Sequence, residues 1–168
     1  MIRKKNIAIL GGGFISNSLR DLFITEKKFF IKQFRKKDLD LSKKKARKKL
    51  LYLSKKFDVL ILIAAKAPVK NFDMFDYNLK ILNNFCETLK KEKLNHLIYI
   101  SSDAVYKDTK NKINESSIKN PNSLHGLMHL YREKILKVFF KKKLCIVRPT
   151  LIYGKNDPHN GYGPNSFI

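Results

Sequence analysis

Five short runs of apolar, largely β-branched or aromatic residues punctuate the chain, at 6–10, 29–34, 58–63, 96–100 and 144–147. Between them lie longer segments, 14–23, 42–55, 72–92 and 126–140, in which apolar residues recur at helical spacing. Near-continuous apolar strands are buried on both faces, and their alternation with helices is the mark of a parallel sheet built from βαβ units. Right-handed crossovers then make a doubly wound α/β sheet the economical topology. The stretch 106–121 is polar and aperiodic, so it reads as a loop outside the carboxyl end of the fourth strand, where ligands bind in such folds. From 153 onward the composition turns to Gly, Pro and Asn and no sixth strand follows. The expectation is one domain over 1–152 and, over 153–168, the start of a truncated substrate-binding region.

Composition narrows the class. A chain of 168 residues that is 43% hydrophobic supports one packed core. No apolar run reaches the roughly 18 residues of a membrane span, and the basic then apolar N-terminus runs into glycines, not a cleavage site. A cytoplasmic location is expected. Cys86 and Cys145 lack C-x-x-C spacing and are expected as buried free thiols. The net charge of +22 raises polynucleotide binding, with affinity that falls steeply with salt as its signature. Thirty of the 36 cations are dispersed lysines without an aromatic-interleaved stripe, which argues against that partner. The six arginines carry more information than the lysines.

The candidate chemistry begins after the first strand. Gly11-x-Gly13-x-x-Ser16, followed by a helix, would aim backbone N–H groups and a positive helix end at a pyrophosphate. Ser16 stands where a third glycine is usual, and an ordinary tight turn is the competing reading. Past the second strand an NAD site usually presents an acid to the ribose hydroxyls, but this chain has Arg35, Lys36 and Lys37 before Asp38. NAD and NADP both stay open, with Arg35 tipping the balance to NADP; a solvated strand end is the alternative.

The residues at the predicted strand ends resemble the extended short-chain dehydrogenases, also called the NAD-dependent epimerase/dehydratase family, which act on nucleotide sugars. The likeness runs from Asn6 onward through six ordered motifs. Gly12-Gly13-Phe14-Ile15 is similar to the glycine turn of the family. Asp58-Val59 with Ala64-Ala65 is similar to its third strand, and Asn78 to the helix asparagine that supports the site backbone. Ser101-Ser102-Asp103-Ala104-Val105-Tyr106 resembles the fourth-strand motif, Pro121-x-Ser123-x-His125-Gly126 with Arg132-Glu133 the next, and Arg148-Pro149 with Tyr153-Gly154 the fifth strand. Gly163-Pro164-Asn165 resembles the opening of the sugar-binding region. The resemblance implies a Rossmann-type sheet and a dinucleotide held by Gly11, Gly13, Phe14, Ile15, Arg35, Lys36, Asp40, Leu41, Ala64, Ala65, Asn78, Ser101, His129 and Pro149. It implies a sugar contacted by Ser102, Asp103, Ala104 and Asn165, and a dimer formed through helices 72–92 and 126–140.

The family carries a Tyr-x-x-x-Lys pair on the helix after the loop; alignment on Pro121 and Ser123 puts His125 and His129 there. The lysine of the family binds the nicotinamide ribose and lowers the tyrosine pKa. An imidazole, near 6.5, needs no such help to exchange a proton near neutrality. Three readings compete: His125 and His129 as a working acid/base and ribose-binding pair, a cofactor-binding relative with little redox activity, or surface histidines on a misaligned helix. Metal binding lacks the Glu of H-E-x-x-H and a third ligand. Family dehydratases follow the Ser102 position with Asp then Glu; here Ala104 follows Asp103, which disfavours dehydration and leaves Asp103 as a loop cap. The sequence therefore predicts an NAD(P)-dependent nucleotide-sugar epimerase or reductase with Ser102, His125 and His129 as catalytic residues, or a catalytically inactive NAD(P)-binding module of the same fold.

Overall fold

A computed structural model describes residues 4–158 and Gly163. In chain order it contains β1 (Lys5–Leu10), α1 (Phe14–Thr25), β2 (Phe29–Phe34), α2 (Ala46–Lys56), β3 (Val59–Leu62), α3 (Phe72–Leu89), β4 (His96–Ile100), α4 (Leu124–Phe140) and β5 (Leu144–Val147), with single 3-10 turns at Asp103–Val105 and Lys141–Lys143. All pairings are parallel and the strand order is β2-β1-β3-β4-β5. The chain steps to opposite sides of β1 as it enters β2 and β3, so a crevice opens above their carboxyl ends. No helix among the described residues is long and apolar enough to cross a membrane.

Each expected element forms, and the shifted boundaries have local causes. The segment before α2 stays in turns because Asp40 Oδ1 accepts from both the backbone N–H of Ser42 (3.0 Å) and its hydroxyl (2.6 Å). That side chain offers the backbone an alternative to helix. At α4 the Ser123 hydroxyl accepts from Gly126 N at 3.1 Å, which starts the helix two residues earlier than its periodicity predicts.

The main core lies on one face of the sheet, where Leu50 and Leu53 of α2, Leu82 and Phe85 of α3 and Leu136 of α4 pack on Ala8, Leu10, Leu60, Leu62 and Leu97. The other face holds a smaller cluster around Ile7, Ile9 and Ile61, covered by Leu19 and Phe23 of α1. Over β5 that face is open among the described residues. Val147 is 41% exposed, and Cys145, expected to be buried, is an exposed free thiol because strand alternation turns it to the open side. Cys86 is buried as expected, and burial pushes its thiol up to about 12.

Two contacts fix how α4 meets the strand ends. The carboxylate of Glu133 accepts from Arg148 Nε and Nη2, each at 2.7 Å, and from the Ser101 hydroxyl at 2.7 Å. Gly126 lets the first turn of α4 lie directly on the 3-10 turn: a Cβ there would be driven into the Ala104 carbonyl oxygen and would stand 2.7 Å from Pro121 Cβ. Alanine in place of a helical glycine ordinarily gains about 1 kcal/mol. Here the overlap reverses the sign, and Gly126→Ala should cost about 2 kcal/mol or more, read as a lower urea midpoint at unchanged m-value.

Candidate functional site

A cleft of about 970 Å³ runs along the carboxyl ends of β1, β3 and β4. That is the upper end of the range for small-molecule sites. At its centre the β1–α1 turn presents Gly11, Gly12 and Gly13. Gly11 has φ +152, a conformation other residues rarely adopt, and a Cβ on it would stand 3.2 Å from Ala64 N. At Gly13 a Cβ would meet nothing within 4 Å, so no protein neighbour demands glycine there. The open space is what a pyrophosphate needs. Gly13 caps α1 without a side-chain hydrogen bond, and no acid occupies its first turn, so the positive helix end is left for an anion. The Ser16 hydroxyl is fully buried beside this turn with no partner among the described residues. Free N–H groups, an open cradle and an orphaned hydroxyl fit a dinucleotide phosphate.

Towards β2 the cleft is lined by Lys36, Asp40, Leu41 and Tyr77. Burial raises the Asp40 carboxyl, but the Ser42 hydrogen bonds and the nearby Lys36 and Lys43 outweigh it and hold the group below its usual range. Lys36 Nζ lies 5.0 Å from the centre of the Tyr77 ring. Arg35 is exposed and is not brought into the lining; its side chain packs under Gly12, at 3.0 Å from where a Cβ would be. Ala64 and Ala65 form the floor beyond β3. Asn78, fully buried, stays behind that floor: its amide donates to Lys66 O (2.9 Å) and Met74 O (2.8 Å) and accepts from Lys66 N (3.0 Å). It shapes the cleft through the backbone.

At the far end Ser101, Ser102, Asp103, Ala104, His125, His129 and Pro149 converge. Ser102 caps the 3-10 turn, accepting from Ala104 N at 3.2 Å while its hydroxyl donates to Asp103 Oδ1 at 3.2 Å. The cap expected of Asp103 is thus made by its neighbour, whose Oγ reaches the turn N–H. His125 and His129 meet edge to face, their ring centres 4.7 Å apart. His125 Nδ1 accepts from Val69 N over a long 3.4 Å, and His129 Nδ1 meets the Tyr99 hydroxyl at 2.7 Å. Burial, against an opposing pull from Asp103, lowers the His125 pKa. Burial, with His125 and Arg132 close by, holds His129 well below the ordinary imidazole value. Both rings are neutral near pH 7. Asn165, expected to touch substrate, lies outside the described residues.

The site also draws on Tyr99, which sequence reasoning did not single out, and on motif residues to which it gave no role. Tyr99 is fully buried behind His129, and Tyr106 accepts from Arg148 Nη1 at 2.9 Å. Arg132, fully buried, donates to Ala64 O at 2.9 Å. The scarcity of arginine was the available signal, since the two in the last third of the chain both turn inward. No group of three or more His, Cys, Asp or Glu residues among those described is arranged to hold a metal ion.

Comparison with known proteins agrees with this geometry. The model of the NAD dependent epimerase/dehydratase family matches residues 9–168. An N-acetyl-alpha-D-glucosaminyl-diphospho-ditrans,octacis-undecaprenol 4-epimerase of Escherichia coli O157:H7 is 28% identical over 116 residues, covering 63% of this chain and 34% of the relative. A dTDP-D-glucose 4,6-dehydratase of Dictyostelium discoideum is 30% identical over 126 residues, covering 62% and 29%. The chain spans about a third of the length of these curated relatives. The crystal structure of a dTDP-4-dehydrorhamnose reductase from Clostridium acetobutylicum superposes with a TM-score of 0.76 at 26% identity, over 90% of this chain and 55% of that one.

The histidine environment predicts how stability responds to acid. In the unfolded chain each imidazole takes up a proton near pH 6.5, whereas His129 in the fold does so only well below that. The unfolded state therefore binds more protons once the pH falls below about 6.5, and stability falls with it. Urea titrations at pH 7.5 and 5.5 should show this loss, at a slope of up to about 1.4 kcal/mol per pH unit from His129. His129→Gln should flatten that part of the curve.

Proposed function

The chain belongs to the NAD-dependent epimerase/dehydratase family, and from that premise we propose that it is the dinucleotide-binding part of a nucleotide-sugar epimerase or reductase. One observation carries the reading: the open glycine turn and the group formed by Ser102, His125 and His129 lie along a single cleft, with Ala64 and Ala65 between them. Residues 1–152 form the cofactor domain and 153–168 begin the sugar-binding region; the approach of Asp157 and Pro158 to the cleft supports that division.

With a dinucleotide held along the cleft, the chemistry supplied would be hydride transfer to or from a sugar carbon. The Ser102 hydroxyl turns from Asp103 to a sugar oxygen and polarises it. His125, held neutral by burial, takes the proton of a sugar hydroxyl as the carbon is oxidised and returns it on reduction. His129 binds the ribose. Ala104, where an acid would be needed to expel a hydroxyl, supports epimerisation or reduction over dehydration. For the cofactor we favour NADP within an NAD-dependent family, because Arg35 and Lys36 bring cations to the strand end where a 2'-phosphate would lie. A cytoplasmic location suits the exposed free thiol of Cys145.

The family arrangement of a dimer through α3 and α4 is part of the proposal. It is supported by an exposed apolar stripe on α4, formed by Leu124, Leu127, Tyr131 and Val138, with Phe72 of α3 also exposed. Sedimentation velocity should give a dimer that Tyr131→Glu with Val138→Glu converts to monomer; a monomeric parent protein would remove this part.

The functional test uses the full-length protein with NADPH, NADH and a panel of nucleotide sugars. Hydride exchange is expected with at least one sugar, reduced about a hundredfold or more by His125→Ala. Arg35→Ala should weaken NADPH about tenfold and leave NADH unchanged. Dinucleotide binding with no exchange on any sugar would reduce the protein to a binding module.

A further inference from the structure

Tyr99 has an unusual place for a phenol. It sits on β4 with its side chain fully buried under α4, and it does not line the cleft. A buried hydroxyl needs partners, and the nearest is His129 Nδ1 at 2.7 Å. The Arg132 guanidinium, a pure donor, lies over the phenol ring with its centre 5.3 Å from the ring centroid and spends its hydrogen bond on the Ala64 carbonyl at 2.9 Å. The neighbouring Ser101 hydroxyl gives its proton to Glu133. Among the described residues the Tyr99 hydroxyl makes its hydrogen bond to His129 Nδ1 alone; were Nδ1 the donor, the buried phenol proton would have no acceptor, so the phenol donates and Nδ1 accepts. Burial pushes the Tyr99 pKa up to about 12, so that proton stays in place across the working range. A neutral imidazole accepting at Nδ1 carries its hydrogen on Nε2. Since Nδ1 faces the sheet and His129 lines the cleft, Nε2 is the nitrogen left to face a ligand.

We propose that Tyr99 is a positioning residue for the cofactor: by donating to His129 Nδ1 it fixes that imidazole as an Nε2–H donor towards the ribose end of the cleft. The inference rests on the reading of His129 as the ribose-binding group. It explains how an uncharged ring can take the place of an ammonium. A lysine offers donors in every direction, whereas an imidazole offers one only when its tautomer and ring orientation are set from behind, as for metal-bound histidines.

The test joins a spectroscopic and an energetic readout. Nitrogen-15 correlation spectra of the wild-type protein at pH 7.5 should show His129 protonated at Nε2 and bare, hydrogen-bonded Nδ1. In Tyr99→Phe the Nδ1 resonance should move to the position of an unbonded nitrogen. Affinities for NADPH and NADH should fall about tenfold in Tyr99→Phe, yet change less than twofold when the same substitution is made in a His129→Ala background. A proton on Nδ1 in the wild-type protein would overturn the proposal even if Tyr99→Phe failed to fold. Equal losses in both backgrounds would also overturn it, since a general structural defect does not need His129. Failure of both dinucleotides to bind the wild-type protein would instead sink the underlying reading of the site, and the positioning role with it.

Discussion

The Glu133 carboxylate is the joint on which the site depends. It is 1% exposed, and both its oxygens are engaged: Oε1 by the Ser101 hydroxyl and Arg148 Nε, Oε2 by Arg148 Nη2. Three elements meet in one carboxylate: the end of β4, the middle of α4 and the residue after β5. A buried ion pair contributes little net stability compared with well-packed apolar residues, but loss of one partner strands the other charge at roughly 3–5 kcal/mol. Its consequence here is geometric. Ser101 is one residue before the Ser102 turn and Glu133 one helical turn after His129, so the pair sets how Ser102 and His129 face each other. Gly126 completes the clamp at the other end of the helix by bringing its first turn against Ala104.

Much of this was legible in the sequence because it rests on periodicity. The strands of 6–10 and 29–34 are apolar runs between turn residues, and nothing competes with that signal. The glycine turn was legible because φ +152 at Gly11 restricts residue type directly. What escaped was set by tertiary partners. Cys145 sits in an apolar run and reads as buried, yet burial depends on whether that face of β5 is covered. Arg35 reads as a strand-end cation, and that its side chain lies against Gly12 is set by the β1–α1 turn, which periodicity does not reveal. Tyr99 reads as one more strand aromatic; only its meeting with a residue thirty positions later on α4 gives its hydroxyl a task.

The same packing gives a physical reason for histidine at position 129. Arg132 is fully buried a helical turn away, with its charge directed to the Ala64 carbonyl and the Tyr99 ring. The buried carboxylate on the same helix, Glu133, is already neutralised by Arg148. A lysine at 129 would add a second positive charge beside Arg132 while Glu133 is already paired, and like charges at low effective dielectric repel strongly. An imidazole avoids that cost by remaining neutral, and Arg132 is one of the groups that keeps it so. Neutrality removes the cation that would have lowered the pKa of a tyrosine at 125. An imidazole at 125 needs no such cation, because its own pKa already lies near or below neutrality. The two histidines therefore belong together: once Arg132 occupies the interior, a neutral ring at 129 beside a second imidazole at 125 is the pair that this electrostatic environment accommodates.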